Sequence, residues 1–368
     1  MVASLPIVIV IFYYFFLVFV ILANIELTKV YSRILNTVFL CSVLVVAYNF
    51  IPTQQMDLYR YYLMLDEVEH MDINWNQIIN YGPYRQTILT SIYFNIMSKI
   101  ENRSWFVIFP TGMVFSLIFF VSNKFRKDYN ITYSSFAFFM VSIISVSSVF
   151  LIITGVRQNL AWSLLMVAVY YDFFSKEKKR VMNVVLYVLP LLVHLSAAPI
   201  VVLRLVLILV KKFPFLKYLL ILWPLSLIIF TNIHNYLPPI LQSSLVVLGR
   251  YVENVENYIP TAQFAVAIVS YVLILFLITS MKKRNTLANF ISKDYYNFYY
   301  LVLLFGISSI FIPTLFSRTF ELVIYISLPM FSSVLTTKFN FRLPILLIII
   351  AMFVVLFYWQ DLMLGYFF

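Results

Sequence analysis

Apolar runs approaching twenty residues follow one another from Leu5 almost to the end of this 368-residue chain, separated by short polar or basic loops. A helical run of that length matches the hydrocarbon thickness of a bilayer, where the backbone must satisfy its own hydrogen bonds. Hydrophobic residues make up 63% of the chain and charged residues 11%, which is more apolar surface than a soluble core can bury. The chain therefore reads as an all-α polytopic integral membrane protein, with residues 1–368 forming a single membrane domain. Window hydropathy places about twelve transmembrane helices, at 5–23, 34–51, 104–122, 131–152, 156–174, 181–193, 195–210, 216–231, 263–280, 298–315, 320–337 and 343–360.

Segment 86–99 is too short to join them and carries Thr87, Thr90, Ser91, Asn95 and Ser98 among its apolar residues. It reads as a re-entrant or interfacial helix closing a first outer loop, 52–86; a second long outer loop covers 232–262. With 86–99 not crossing, thirteen of the fourteen lysines fall in one alternate set of loops. Lysine and arginine collect in cytoplasmic loops, so that set is expected inside and both termini outside. The first run lacks a basic leader and a small-residue cleavage signal, so it is expected to be a retained span. The formal charge of +11 then reflects topology and contact with membrane lipid headgroups, and nucleic acid is not an expected partner. Cys41 is the single cysteine, so no intrachain disulfide is expected.

Six arginines are stranded on the outer side: Arg60, Arg85, Arg103, Arg157, Arg250 and Arg318. Guanidinium is the side chain best suited to a bidentate grip on phosphate or carboxylate. Four places converge on that face. They are Asp57-Leu-Tyr-Arg60-Tyr61, Thr154-Gly-Val-Arg157-Gln158-Asn-Leu-Ala161, His194-Leu-Ser196, and Arg250-Tyr251 together with Ser317-Arg318. Arg157 stands in the first turn of a helix, where its charge opposes the helix dipole and an anionic ligand would relieve the mismatch. Gly155 before it is read as allowing a tight turn. The runs 181–193 and 195–210 are short for spans and meet at His194, which would leave that histidine in a recessed polar hollow.

Asp57/Arg60, Arg250/Glu253 and Arg318/Glu321 are three residues apart. Each is either a surface helical ion pair or a carboxylate that orients a phosphate-gripping guanidinium or acts as general base. His194 is either an interfacial hydrogen-bonder or a functional group binding phosphate or accepting a proton. The candidate bases, in order, are His194, Glu321 and Asp57. Arg204, within a span, is expected to snorkel or to pair inside the bundle. The acidic run Asp66 to Asp72 around His70 reads as a solvated helix face, and no metal site or cofactor is expected. No HExxH, paired CxxC, P-loop or GxSxG pattern occurs.

The order of these elements resembles the EpsG-type branch of the Wzy polysaccharide polymerases. Gly155-Val-Arg157-Gln158-Asn-Leu-Ala161 followed by His194-Leu-Ser196-Ala carries most of the likeness, which extends over roughly residues 50 to 335. The residues before Asp57, Ile51-Pro-Thr-Gln-Gln, depart from the R-Y-x-x-G-x-D arrangement many members show there.

The resemblance implies a GT-C-like helical bundle in the bacterial cytoplasmic membrane. It implies a metal-independent glycosyltransferase acting at the outer face, with a polyprenyl-pyrophosphate-linked oligosaccharide as donor, a lipid-linked repeat unit as acceptor, and a chain-length regulator as a further partner. Arg157, Gln158, Arg60, Tyr61, Arg250, Tyr251 and Arg318 would bind the pyrophosphate and glycan. A lipid-linked oligosaccharide flippase would have as many spans, but with charges along a central path open to both sides. An O-antigen ligase would share the donor chemistry and differ in acceptor.

Overall fold

The computed structural model describes residues 4–54, 56–69, 87–177, 180–216, 261–283 and 287–336, with 346, 347, 349–351 and 353 beyond them. Regular structure among these residues is helical throughout. The spans read at 216–231 and 343–360, most of the outer loop 232–262, and Arg85, Arg250, Tyr251 and Glu253 lie wholly or largely outside the described residues.

Helix α1 covers Ser4–Ala23 and α2 covers Lys29–Tyr48, with the Thr28 hydroxyl accepting the Tyr31 N–H at the start of α2. Helix α3, Asp57–Glu69, and α4, Ile88–Ser98, come from the stretch read as the first outer loop and the segment closing it, and pack on each other. Helix α5, Trp105–Tyr129, ends on Asn130 in the left-handed conformation, whose N–H reaches the Arg126 carbonyl. Its successor α6, Tyr133–Ser147, is capped from a distance: the Glu26 carboxylate accepts the Tyr133 N–H at 2.8 and 2.9 Å. A negative group at a helix N-terminus is favourable in both hydrogen bonding and dipole terms.

All of α6 is buried, among α1, α13 (Pro313–Tyr325) and α14 (Leu328–Thr336). In a membrane, apolar side chains gain little by leaving lipid, so close approach through small residues drives helix association. Helix α6 supplies them as Ser134, Ser135, Ser142, Ser145 and Ser147. The Ser142 and Ser145 hydroxyls bond carbonyls one turn back, at 2.8 and 2.7 Å, and Ser145 also meets the Tyr14 hydroxyl of α1 at 3.0 Å.

The span read at 131–152 is broken. Ser148 takes φ 26°, ψ 158°, and its hydroxyl accepts the Leu151 N–H to start a new short helix, α7, Val149–Thr154. That positive φ is unfavourable for a residue with a Cβ, and the local cap offsets part of its cost. The span read at 320–337 is likewise two pieces, since α13 ends at Tyr325 and α14 leaves at 60°. Hydropathy windows average across such breaks because both flanks are apolar.

The remaining helices are α8, Val156–Phe173; α9, Arg180–Val193; α10, Ala198–Lys212 after a short 3-10 turn at Leu195–Ala197; α11, Thr261–Lys283; and α12, Lys293–Ser308. Helix α8 lies between α5, α9 and α13, while α10, α11 and α13 all pack on α12. By length and composition, three described helices can cross a membrane, α1, α2 and α5, or four if the bent pair α13–α14 counts as one span.

Candidate active site

The sequence Gly155-Val-Arg157 opens α8, and Gly155 is needed there for room. Its φ of −97° is open to any residue. A Cβ on it would lie 3.0 Å from the Leu151 carbonyl oxygen and 3.1 Å from Asn159 Nδ2. This close approach lets the Asn159 amide bond the Leu151 and Gly155 carbonyls at 3.2 and 3.1 Å. Helix α7 therefore runs almost directly into α8, with the expected tight turn replaced by a tight contact.

Arg157 projects from the first turn of α8 onto Tyr61 of α3. Its Nη2 donates to the Tyr61 hydroxyl at 2.9 Å, and its guanidinium carbon lies 4.7 Å from the ring centre. Tyr61 is buried among Phe94 of α4 and Phe106 of α5, with ring centres 5.7 and 5.9 Å away. Burial pushes its phenol above the ordinary range, and the Arg157 charge offsets part of that rise. The loop helix α3 thus delivers an aromatic hydroxyl to an arginine on a bundle helix.

His194 sits where α9 ends, its N–H closing on the Pro190 carbonyl at 2.8 Å. Thr90 of α4 fixes that end by donating to the Val193 carbonyl at 2.7 Å. The imidazole Nδ1 accepts the Ser196 N–H at 3.1 Å and meets the Ser196 hydroxyl at 2.8 Å. A backbone N–H can only donate, so Nδ1 carries no proton and the neutral ring holds its hydrogen on Nε2. Burial, then the Arg157 and Arg318 guanidiniums, hold the ring's pKa well below its ordinary value, so this neutral form persists at neutral pH.

Both arginines act electrostatically on His194 and on Tyr61. Arg157, Arg318, His194 and Tyr61 therefore share one neighbourhood, drawn from α8, α13, the α9–α10 junction and α3. Glu321 follows Arg318 by one helical turn on α13 and is partly buried. Gln158 is half-buried beside Arg157 in sequence.

The Asp57–Arg60 pair is different. It spans 3.4 Å with both side chains more than half exposed, which is the geometry of a surface helical ion pair. Arg103 is also turned to structural use. It bonds Asp66 at 2.8 Å, Glu69, and the Ser98 and Ile100 carbonyls, fastening α3 to the start of α5. Arg204 pairs inside the bundle with Asp172 at 2.5 Å. Among the described residues no three His, Cys, Asp or Glu side chains gather as a metal site would require.

Two members of the neighbourhood went unread in the sequence. The Tyr325 hydroxyl of α13 donates to Asn159 Oδ1 at 3.0 Å, and its ring lies 5.8 Å from Trp162. This bond ties the helix carrying Arg157 to the helix carrying Arg318. The available signal was Asn159 itself, an amide within an otherwise apolar stretch of α8.

Searches of curated proteins and of solved structures return no match. The family model described as EpsG family matches residues 32–367, a range that contains every helix of this neighbourhood. The arrangement of Arg157, His194 and Arg318 thus lies within one continuous family match covering most of the chain, and the protein belongs to the EpsG family.

Proposed function

We propose that this protein is a polysaccharide polymerase that moves glycan from a polyprenyl-pyrophosphate-linked donor onto a hydroxyl of a lipid-linked repeat unit, at the outer face of the bacterial cytoplasmic membrane. Family membership supports the coarse reading, a polymerase of polysaccharide biosynthesis. The observation that carries the finer one is the convergence of two guanidiniums, a neutral imidazole and a buried phenol from four separate elements.

In the proposed step the bond between the anomeric carbon and the pyrophosphate oxygen breaks, and the acceptor hydroxyl oxygen bonds that carbon. Negative charge grows on the departing pyrophosphate. Arg157 and Arg318, held in place beforehand, stabilise it. The Tyr61 ring and hydroxyl hold the Arg157 fork in one orientation. His194 carries its ring hydrogen on Nε2, so in this step it serves as a hydrogen-bond donor to phosphate or sugar. The acceptor's proton then goes to Glu321, the carboxylate one turn from Arg318, in preference to Asp57 on its exposed pair.

The test is an assay of the purified protein in nanodiscs with a lipid-pyrophosphate-linked repeat unit. A ladder of products spaced by one repeat is expected. Arg157→Ala should cut turnover by about two orders of magnitude, and Arg157→Lys should stay low because an ammonium cannot reproduce the fork. Near-wild-type ladders from folded Arg157→Ala would remove that residue from the site. Unchanged substrate that is scrambled across a sealed vesicle would instead make the protein a flippase.

A further inference from the structure

We infer that a second anion site lies at the far end of α10, the helix that begins just after His194, built to hold the phosphate headgroup of an anionic phospholipid. A cavity of about 780 Å³ opens between α10, α11 and α12. Lys211 closes α10, Lys282 and Lys283 close α11, and Lys293 opens α12, so three helices bring four ammonium groups to one hollow. Helix α10 begins four residues after His194 and runs fifteen residues, which at about 1.5 Å per residue puts Lys211 and Lys212 roughly 20 Å from that site.

The lysines are only partly neutralised. Lys211 pairs with Asp294 at 2.7 Å, while Lys282, Lys283 and Lys293 make no ion pair among the described residues. Lys282 lies 4.3 Å from the centre of the Tyr296 ring, which holds it over the cavity wall. Lys293 stands at the first position of α12, where its charge has the same sign as the helix dipole. An anion in the hollow relieves both the crowding and that mismatch. Tyr296 and Tyr300 also line the space, and tyrosine is suited to the headgroup level.

The apolar surroundings point to a lipid source. Val210 and Leu301 form part of the wall. Leu205 and Leu209 on α10 and Phe276 on α11 are exposed large side chains on the helices leading to it, a surface along which acyl chains can lie. Basic hollows between membrane helices are suited to anionic headgroups.

The test is native mass spectrometry of the full-length protein in detergent, titrated with phosphatidylglycerol, phosphatidylcholine or inorganic phosphate. Phosphatidylglycerol adducts should form at concentrations where phosphatidylcholine gives few. Lys282→Gln/Lys293→Gln should weaken them about thirtyfold, while Lys29→Gln/Lys176→Gln, which removes equal charge from exposed positions outside the hollow, should leave them largely intact. Equal loss in both variants would reduce the effect to diffuse surface charge and overturn the site, as would no loss in either. Displacement of the lipid by millimolar inorganic phosphate would overturn the bilayer as its source. None of these readouts depends on the proposed polymerase activity.

Discussion

His194 is the residue whose chemistry changes most between sequence and structure. As a histidine between two short apolar runs it stands first among candidate bases. The Ser196 N–H on Nδ1 makes it a donor instead. His194→Gln should therefore keep much of the turnover with an unshifted pH profile, because an amide N–H can replace Nε2–H. Glu321→Gln should lose about two to four orders of magnitude; comparable ladders from both variants in the nanodisc assay would reject this assignment. The low pKa of the buried imidazole also bears on stability. The unfolded chain takes up the proton near the ordinary 6.5, whereas the folded one does so only at lower pH. This contribution is fully present above about pH 6.5 and is lost as pH falls below it. Melting temperatures measured from pH 7.5 to 5.5 should drop more for wild type than for His194→Gln. Arg157 and Arg318 were legible because charge stands out against apolar runs and against the lysine sorting. The Asn159–Tyr325 bond was not, since it depends on the rotational phase of two helices whose bonded residues are 166 positions apart.

At the scale of elements, two glycines set how closely helices approach. Gly306 of α12 faces Tyr271 of α11, where an added Cβ would fall 2.0 Å from the phenol oxygen. The Tyr271 ring lies 4.8 and 5.1 Å from Phe316 and Phe320, the residues flanking Arg318 at two positions on either side. Gly306→Ala thus displaces Tyr271 against the helix that carries an arginine of the site. Gly155→Ala pushes on the Leu151 carbonyl and on Asn159 at the start of α8. Each substitution should cost about 1–3 kcal/mol of stability as an overpacking change, read from thermal unfolding in detergent. Each should also lower turnover of the protein that remains folded. Helix existence was legible from apolar periodicity and length, but the interruptions at Ser148 and after Tyr325 were not. A serine barely changes window hydropathy, and the bend after Tyr325 follows from packing of α13 and α14 on α6.

At the scale of the whole molecule, Lys211, Lys282, Lys283 and Lys293 meet at one hollow, while Arg157 and Arg318 belong to a separate neighbourhood. The orientation expected from the lysine sorting is testable because Cys41 is the single cysteine. In a Cys41→Ser background, Gln54→Cys should react with a membrane-impermeant maleimide in intact cells, and Lys176→Cys only after permeabilisation. The reverse labelling would invert the chain. The positive-inside bias gives this orientation as the expectation that the labelling tests. How the loop helix α3 joins the candidate site was not readable, because Tyr61 reaches Arg157 across 96 residues. That junction has a consequence for the polymer. Tyr61 arrives on α3, a thirteen-residue helix of the first loop held by Arg103 and by an aromatic box, while the rest of the site rests on bundle helices. Among the described residues, one wall of the neighbourhood is therefore joined to the bundle by side-chain contacts alone, with Leu58, Tyr61 and Leu65 of α3 buried. For the polymerase proposed above, the grip on a glycan would then depend on how α3 is held as much as on the bundle helices themselves.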